Sequence, residues 1–459
     1  MSLSNLLIKL IFVSIIAYIT GFLIHHSDSS LLFTLILLLS IPFVCFIIQQ
    51  PFDYILKCML FVLFFMPIHY VKFLNIFNII NPLTILATVL CFKILHEKFI
   101  QHKKSFNLTS IDYFYFMFIF SALISTLSAI SIFGSLNWIF YSITTGYVVY
   151  KVITNLNPDS IIKVLKYLIL LSSVCALYGF IEYFIIKKNI IYGFSGYNPR
   201  FVSLLGHPLY NGLVYSTILP ISMASYFETK RKRFIFSSII LLFATILTFS
   251  RGSWLAFICG LITMIILCHN KIRLKLILII LFLLVILGSI APLRQAMLNR
   301  INENEAEKFS SFNIRIKSIP IAFEIVKDKP LFGGGPFNAS RYKDIYATNL
   351  SLRRSSFENT YLALLIDLGF VGLTLLLSIY FLSLKRSLFK KWSKNEYDIY
   401  RIATLSSLII LLINMGTFNF DGHRLFHFIT WSYIGINVAI SNLNYHGNQI
   451  FGSKRLILH

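Results

Sequence analysis

Thr248-Phe249-Ser250-Arg251-Gly252-Ser253-Trp254-Leu255-Ala256 sets a single arginine in a tight Ser-Arg-Gly turn between two apolar runs, 233–249 and 252–268. Each run approaches the ~20 residues that cross about 30 Å of hydrocarbon as a helix. An arginine at such a tip either reaches lipid headgroup phosphates or turns inward to hold a phosphate of a substrate. The same alternation of apolar segments and polar turns continues toward both ends of the chain. With 459 residues, 57% hydrophobic, 13% charged and a mean hydropathy of +0.77, the sequence has more apolar side chains than a soluble core can cover. It reads as an all-α, polytopic integral membrane protein, a single membrane domain over 1–459.

Helices are expected near 5–25, 31–49, 54–70, 76–95, 111–131, 134–151, 161–185, 207–227, 233–249, 252–268, 274–291, 357–384, 400–418 and 424–443. The count is fourteen, or twelve if 54–70, with Lys57 and Pro67, and 76–95, interrupted by Asn78, Asn81 and Pro82, are re-entrant or broken. Ile24-His25-His26 stands where a signal peptide would carry small residues for cleavage, so the first segment reads as a retained span. Cys45, Cys58, Cys91, Cys175, Cys259 and Cys268 lie in or beside apolar stretches, and neither a disulfide framework nor a metal cluster is expected.

Lysine and arginine in short loops resist translocation and so set orientation. Lys98, Lys103 and Lys104; Lys230, Arg231, Lys232 and Arg233; Lys271, Arg273 and Lys275; and Lys385, Arg386, Lys390, Lys391 and Lys394 all fall on one side of the fourteen-span arrangement. Both termini are then cytoplasmic, and 186–206, 250–251, 292–356 and 419–423 face outward. The formal net charge of +23 divides accordingly. Cytoplasmic clusters follow from topology and from anionic lipid, whereas the outer basic residues require a partner. Dispersal of the charge among spans argues against nucleic acid.

The 292–356 loop carries eleven lysines and arginines against six acids, a net of +5. Ser318-Ile319-Pro320 predicts the capped start of a short helix that Lys327 to Pro330 would end. The following Pro330-Leu331-Phe332-Gly333-Gly334-Gly335-Pro336-Phe337-Asn338 permits either close backbone approach to a ligand or a flexible connection, and no strand-helix unit makes it a dinucleotide fingerprint. Glu303, Glu305 and Glu307 read as a solvated acidic turn rather than a cation site. Glu358, at the start of the next apolar run, is well placed either for the helix N-terminus or for catalysis.

Taken in order, several stretches resemble the O-antigen polymerase and ligase superfamily of bacterial envelope glycan assembly. They are Arg200 ahead of Gly206-His207-Pro208-Leu209-Tyr210-Asn211-Gly212, the Thr248–Ala256 stretch, and Arg315 before the loop helix and Pro330–Gly335. Glu358-Asn359-Thr360-Tyr361-Leu362 then leads to Leu368-Gly369-Phe370-Val371-Gly372-Leu373. The resemblance spans about 190–380. It implies a metal-independent glycosyltransferase of the GT-C type, without cofactor, acting on glycans carried by undecaprenyl pyrophosphate at the outer face of the bacterial cytoplasmic membrane. By motif match, Arg251, Arg200 and Arg315 would bind the departing pyrophosphate, and Glu358 would accept the acceptor hydroxyl's proton. His207, Asn211, Asn359, Tyr361 and His423 are supporting candidates. Membrane lipids, a chain-length regulator and a flippase are the implied partners beside the lipid-linked oligosaccharide.

One departure is informative. Ligases of the superfamily generally carry histidine before the asparagine that opens the helix after the large loop, and this chain has Glu358 before Asn359. That favours a polymerase over a ligase to lipid A-core or protein. A lipid-linked glycan flippase is the rival of another class, but such transporters place charge between structural repeats near the membrane midplane. Here no internal repeat is evident, and midmembrane charge is limited to isolated residues such as Lys57 and Asp367.

Overall fold

The computed structural model describes residues 49–65, 82–99, 108–186, 200–289, 295, 311–347, 353, 356–389, 396–420 and 424–455. The expected spans at 5–25 and 31–49, and His423, lie outside these residues. Every regular element among them is helical. In chain order they are α1 (Phe52–Phe65), α2 (Pro82–Phe99), α3 (Ser110–Thr126) and α4 (Ile132–Tyr141), which runs through a π-helical turn into α5 (Val148–Asn155). There follow α6 (Pro158–Phe180), α7 (Pro208–Thr229), α8 (Lys232–Leu247), α9 (Arg251–Leu267) and α10 (Asn270–Ser289). Last come α11 (Ser311–Asp328), α12 (Ala339–Tyr346), α13 (Thr360–Leu388), α14 (Glu396–Met415) and α15 (Arg424–Arg455). Pro158–Ile186, Thr360–Leu388 and Tyr397–Met415 are long and apolar enough to cross a membrane, and Ser110–Thr126 and Arg251–Leu267 are shorter apolar helices.

Small and hydroxylated residues are buried at close helix contacts while large apolar ones also cover the outward surface, the arrangement expected when lipid replaces water. On α9, Ser253, Ala256 and Gly260 are buried while Leu255, Ile258, Ile262 and Ile266 form an exposed stripe. A side chain at Gly260 would meet Ile410, and the Ser406 hydroxyl donates to the Gly260 carbonyl at 2.7 Å, so α9 lies close against α14. α7 and α14 form the buried centre. α8, α9 and α6 pack around α7; α13 pairs with α3, and α15 packs against α5 and α14.

Because the helices alternate in direction, the starts of α7, α9, α13 and α15 meet the ends of α8 and α14 at one end of the bundle, the site end. Lys230 to Arg233, Lys271 to Lys275, and Lys385 with Arg386 mark the other, the basic end. Two buried ion pairs lie toward the basic end: Lys151 donates to Asp112 at 2.9 Å, with Tyr147 donating to the same carboxylate at 2.8 Å, and Arg401 donates to Asp398 at 3.1 Å. Buried charge is tolerated when it is paired and hydrogen-bonded in this way.

α13 is broken. Gly369 has φ +65° and ψ −171°, and the 330–338 segment docks into the gap by backbone bonding. Gly334 and Gly335 N–H donate to the carbonyls of Ile366 and Asp367 at 2.8 and 2.9 Å, and Phe370 and Val371 N–H return the pairing to Pro330 and Leu331 at 2.9 and 3.1 Å. The Asp367 carboxylate accepts from the N–H groups of Phe337 and Asn338, each at 2.9 Å. Thus the triple glycine is docked backbone to backbone rather than free as a connector. A Cβ at Gly369 would lie 2.4 Å from the Leu331 carbonyl oxygen, and one at Gly333 would lie 2.6 Å from Asp367, which is why both positions lack a side chain. Asp367, an isolated membrane charge in the sequence, is the cap of this clasp.

The loop also holds more helix than expected. α11 begins at Ser311, so Pro320 sits inside it rather than in its first turn, although Asp328 ends it as foreseen. The short helix α12 departs from expectation; among its eight residues only Ala339 and Ile345 are aliphatic, too few to set an apolar period.

Candidate functional site

At the site end, the turn 416–420 between α14 and α15 is the hub. Gly252, second residue of α9, faces Thr417 so closely that a Cβ would lie 2.3 Å from its Oγ1. The Ser253 hydroxyl donates to the Asn414 side chain at 2.9 Å, binding α9 to the end of α14. Asn359 donates to the Gly416 carbonyl at 3.2 Å, and Thr360 donates to the Phe418 carbonyl at 2.8 Å while accepting from the Phe420 N–H at 3.1 Å. The starts of α9 and α13 are therefore fastened to one short turn.

Arg251 is the first residue of α9, with Ser250 as its N-cap. The turn before it holds Phe249 at φ +48°, an unfavourable conformation for a side-chain-bearing residue that the surrounding packing maintains. The 200–207 segment lies along the end of α8, where Phe201 N–H donates to the Leu247 carbonyl at 2.9 Å and Arg200 Nε donates to the Thr248 carbonyl at 2.9 Å. Arg200 is thereby held three residues from Arg251 along the turn.

His207 is the N-cap of α7: its Nδ1 accepts from Leu209 N–H at 3.3 Å, and its ring stacks on Phe418 at 5.4 Å and 14°. Burial, with the Arg200 charge adding to it, pushes the imidazole down to about 4, so it is neutral at physiological pH. Asn211 is fully buried, accepting from Ser203 and donating to the His207 carbonyl at 2.9 Å. It holds the 200–207 segment in place. Asn359 caps α13, accepting from the N–H groups of Tyr361 and Leu362 at 2.9 and 3.2 Å, and the Tyr361 hydroxyl donates to the Leu412 carbonyl at 2.7 Å.

Glu358 stands just before that cap, and Arg315 Nε donates to its Oε2 at 2.9 Å. Both side chains keep access to solvent, 21% for the glutamate and 30% for the arginine. Two cations absent from the sequence-based set join this end. Lys343 on α12 is fully buried, its ammonium donating to the Ser356 carbonyl at 3.2 Å and lying 4.7 Å from the Phe357 ring centre. Burial pushes it down to about 8, and the carboxylates of Glu358 and Asp344 oppose that shift. Arg424 opens α15 with its guanidinium 3.8 Å from the centre of the Tyr141 ring. Arg424 had a visible signal, since it starts an apolar run beside an expected outer loop as Arg251 does. Lys343 had none.

The arrangement is a helical bundle with arginines, a partly exposed carboxylate and four helix N-termini gathered at one end. Guanidinium groups gathered beside the positive ends of helix dipoles favour an anionic ligand. Residues 236–377 match the family model described as O-antigen ligase (Wzy_C). That interval takes in Arg251, Arg315, Lys343, Glu358 and the break in α13, and leaves Arg200 and His207 just outside. This portion of the chain is accordingly similar to that family. No curated protein matches the chain.

Proposed function

We propose that the protein is a polysaccharide polymerase that joins oligosaccharide repeat units from undecaprenyl pyrophosphate carriers, with its site end at the outer face of the cytoplasmic membrane. The observation that carries this reading is the contact between Glu358 and Arg315, side by side next to the turn that also fastens the start of α9 with Arg251. In the transfer step an acceptor hydroxyl attacks the anomeric carbon of the donor. Its proton passes to Glu358, and the electron pair of the broken C–O bond leaves with the lipid diphosphate. Arg200 and Arg251 hold that diphosphate as its charge develops. Arg315 pairs Glu358 while no donor is bound, and donor phosphate competes for the guanidinium, freeing the carboxylate to act as base. Glutamate in place of the ligase histidine favours repeat-unit acceptors over lipid A-core.

The test is reconstitution of the purified chain with lipid-linked repeat units. Chain lengthening without any other protein is expected. Transfer only to lipid A-core would make it a ligase, and translocation without new glycosidic bonds would make it a flippase.

A further inference from the structure

At the basic end, far from the residues above, α1, α6 and α8 enclose a cavity of about 530 Å³, a size typical of small-ligand sites. Lys57, Lys163, Lys166 and Arg233 line it with one acid, Asp53. Asp53 is already engaged, accepting from Lys57 at 2.8 Å. The charges of Glu228 and Asp159 act on Lys166 from outside this lining. Three cations from two helices thus converge on a cavity whose one lining carboxylate is already paired with Lys57. A second cavity of about 540 Å³ shares Lys163 and Lys166 and contains Asp159, Glu228 and Arg231, so the acids of this region lie on the far side of the two lysines.

The remaining wall is apolar. Tyr54, Tyr167, Ile169, Leu170 and Phe234 supply it, and Leu170 and the neighbouring Phe236 are exposed by 48% and 59% on the lipid-facing surface. Arg233 and Lys163 belong to the first two turns of their helices, at headgroup depth, whereas Leu170 lies further along α6 toward the hydrocarbon. A cationic rim above an apolar wall that opens sideways into the bilayer matches an amphiphile with an anionic head. A free phosphate would leave the apolar wall unused.

We propose that this cavity binds the phosphate headgroup of an anionic phospholipid, with Lys163, Lys166 and Arg233 holding the phosphate and the Tyr167–Leu170 wall holding the start of an acyl chain. Bound there, the lipid ties α1 to α6 and α8. Assignment of that lipid to the inner leaflet rests on the orientation proposed above; the binding does not.

The experiment is native mass spectrometry of the full chain in mild detergent with phosphatidylglycerol or phosphatidylcholine, repeated with excess inorganic phosphate. Retention of phosphatidylglycerol but not phosphatidylcholine is expected, unaffected by inorganic phosphate. The Lys163→Gln/Lys166→Gln/Arg233→Gln variant should weaken retention about ten-fold or more. Ser237→Trp, which fills the cavity without altering its charge, should do the same. A Lys271→Gln/Lys275→Gln variant at the same end should leave it unchanged. Equal loss in that control would make the attraction diffuse rather than a site, and undiminished retention in Ser237→Trp would remove the lipid from this cavity. Displacement by inorganic phosphate would make it a soluble-anion site. Each of these three results overturns the proposal, and none depends on whether the chain lengthens a glycan.

Discussion

Glu358 and Arg315 are separated by 43 residues in sequence and 2.9 Å in space, so the pair is the most direct place to test the chemistry. Glu358→Gln is expected to abolish transfer while leaving the chain folded, because the amide still accepts from Arg315 but cannot take a proton. Transfer rates at several pH values check this, and an unchanged profile would move the base elsewhere. Arg251→Ala and Arg200→Ala are expected to reduce transfer by about 10² to 10³-fold, the scale of one lost contact to developing charge. Arg251→Lys should recover only part, since an ammonium cannot reproduce a guanidinium's paired donors. Lys343 supplies the pH signature. Its ammonium, held near 8 against an ordinary 10.5, loses its charge beside Glu358 as pH rises through about 8. Activity should change there, and Lys343→Met should lack that inflection. The linked stability has a definite sign: between about 8 and 10.5 the unfolded chain binds more protons than the folded one, so the native protein gains stability with rising pH in that window. Arg251 and Glu358 were legible in the sequence because each interrupts or opens an apolar run. Lys343 was not, since burial of a lysine in a polar loop comes from packing against Phe357, far from it in local pattern.

Among the elements, α13 and the 330–338 segment behave as one unit. Gly369→Val would place a side chain against the Leu331 carbonyl at a backbone angle of +65°, at a cost on the order of 1–3 kcal/mol for the backbone alone. Lower thermal stability and faster proteolysis within 330–338 are expected, measured on the protein in detergent. Asp367→Ala should give the same proteolytic pattern, because it leaves the Phe337 and Asn338 N–H groups without their acceptor. Glycine at 333, 334 and 335 was conspicuous in the sequence, yet its partner lies some thirty residues on and is bound backbone to backbone. Such pairing leaves no trace in side-chain periodicity. The membrane helices were far easier to read, as their lengths and apolar character are imposed by lipid, and the described boundaries of α7, α9 and α14 fall within a few residues of those expected.

For the molecule as a whole, alternation of helix direction separates the arginine-rich site end from the basic clusters, and the proposed reaction requires the site end to face outward. Arg341 and Lys271 are both exposed and lie on segments at opposite ends. Cysteine placed at 341 is expected to react with a membrane-impermeant maleimide in intact cells, whereas cysteine at 271 should react only after lysis. The reverse pattern would put the candidate site in the cytoplasm and remove the lipid-linked donor from its reach.

The break at Gly369 also has a bearing on biogenesis. Hydrocarbon cannot satisfy the peptide groups freed by an interrupted span, and here their partners come from residues 330–335, which precede that span in the chain. In the orientation proposed above, the segment before the span is translocated first and waits for α13 to leave the translocon, so that lateral release of this helix into lipid and capture of its upstream neighbour become a single event. Chains arrested between the two steps would present an unpaired backbone inside the bilayer, a state that membrane quality-control proteases are suited to recognise.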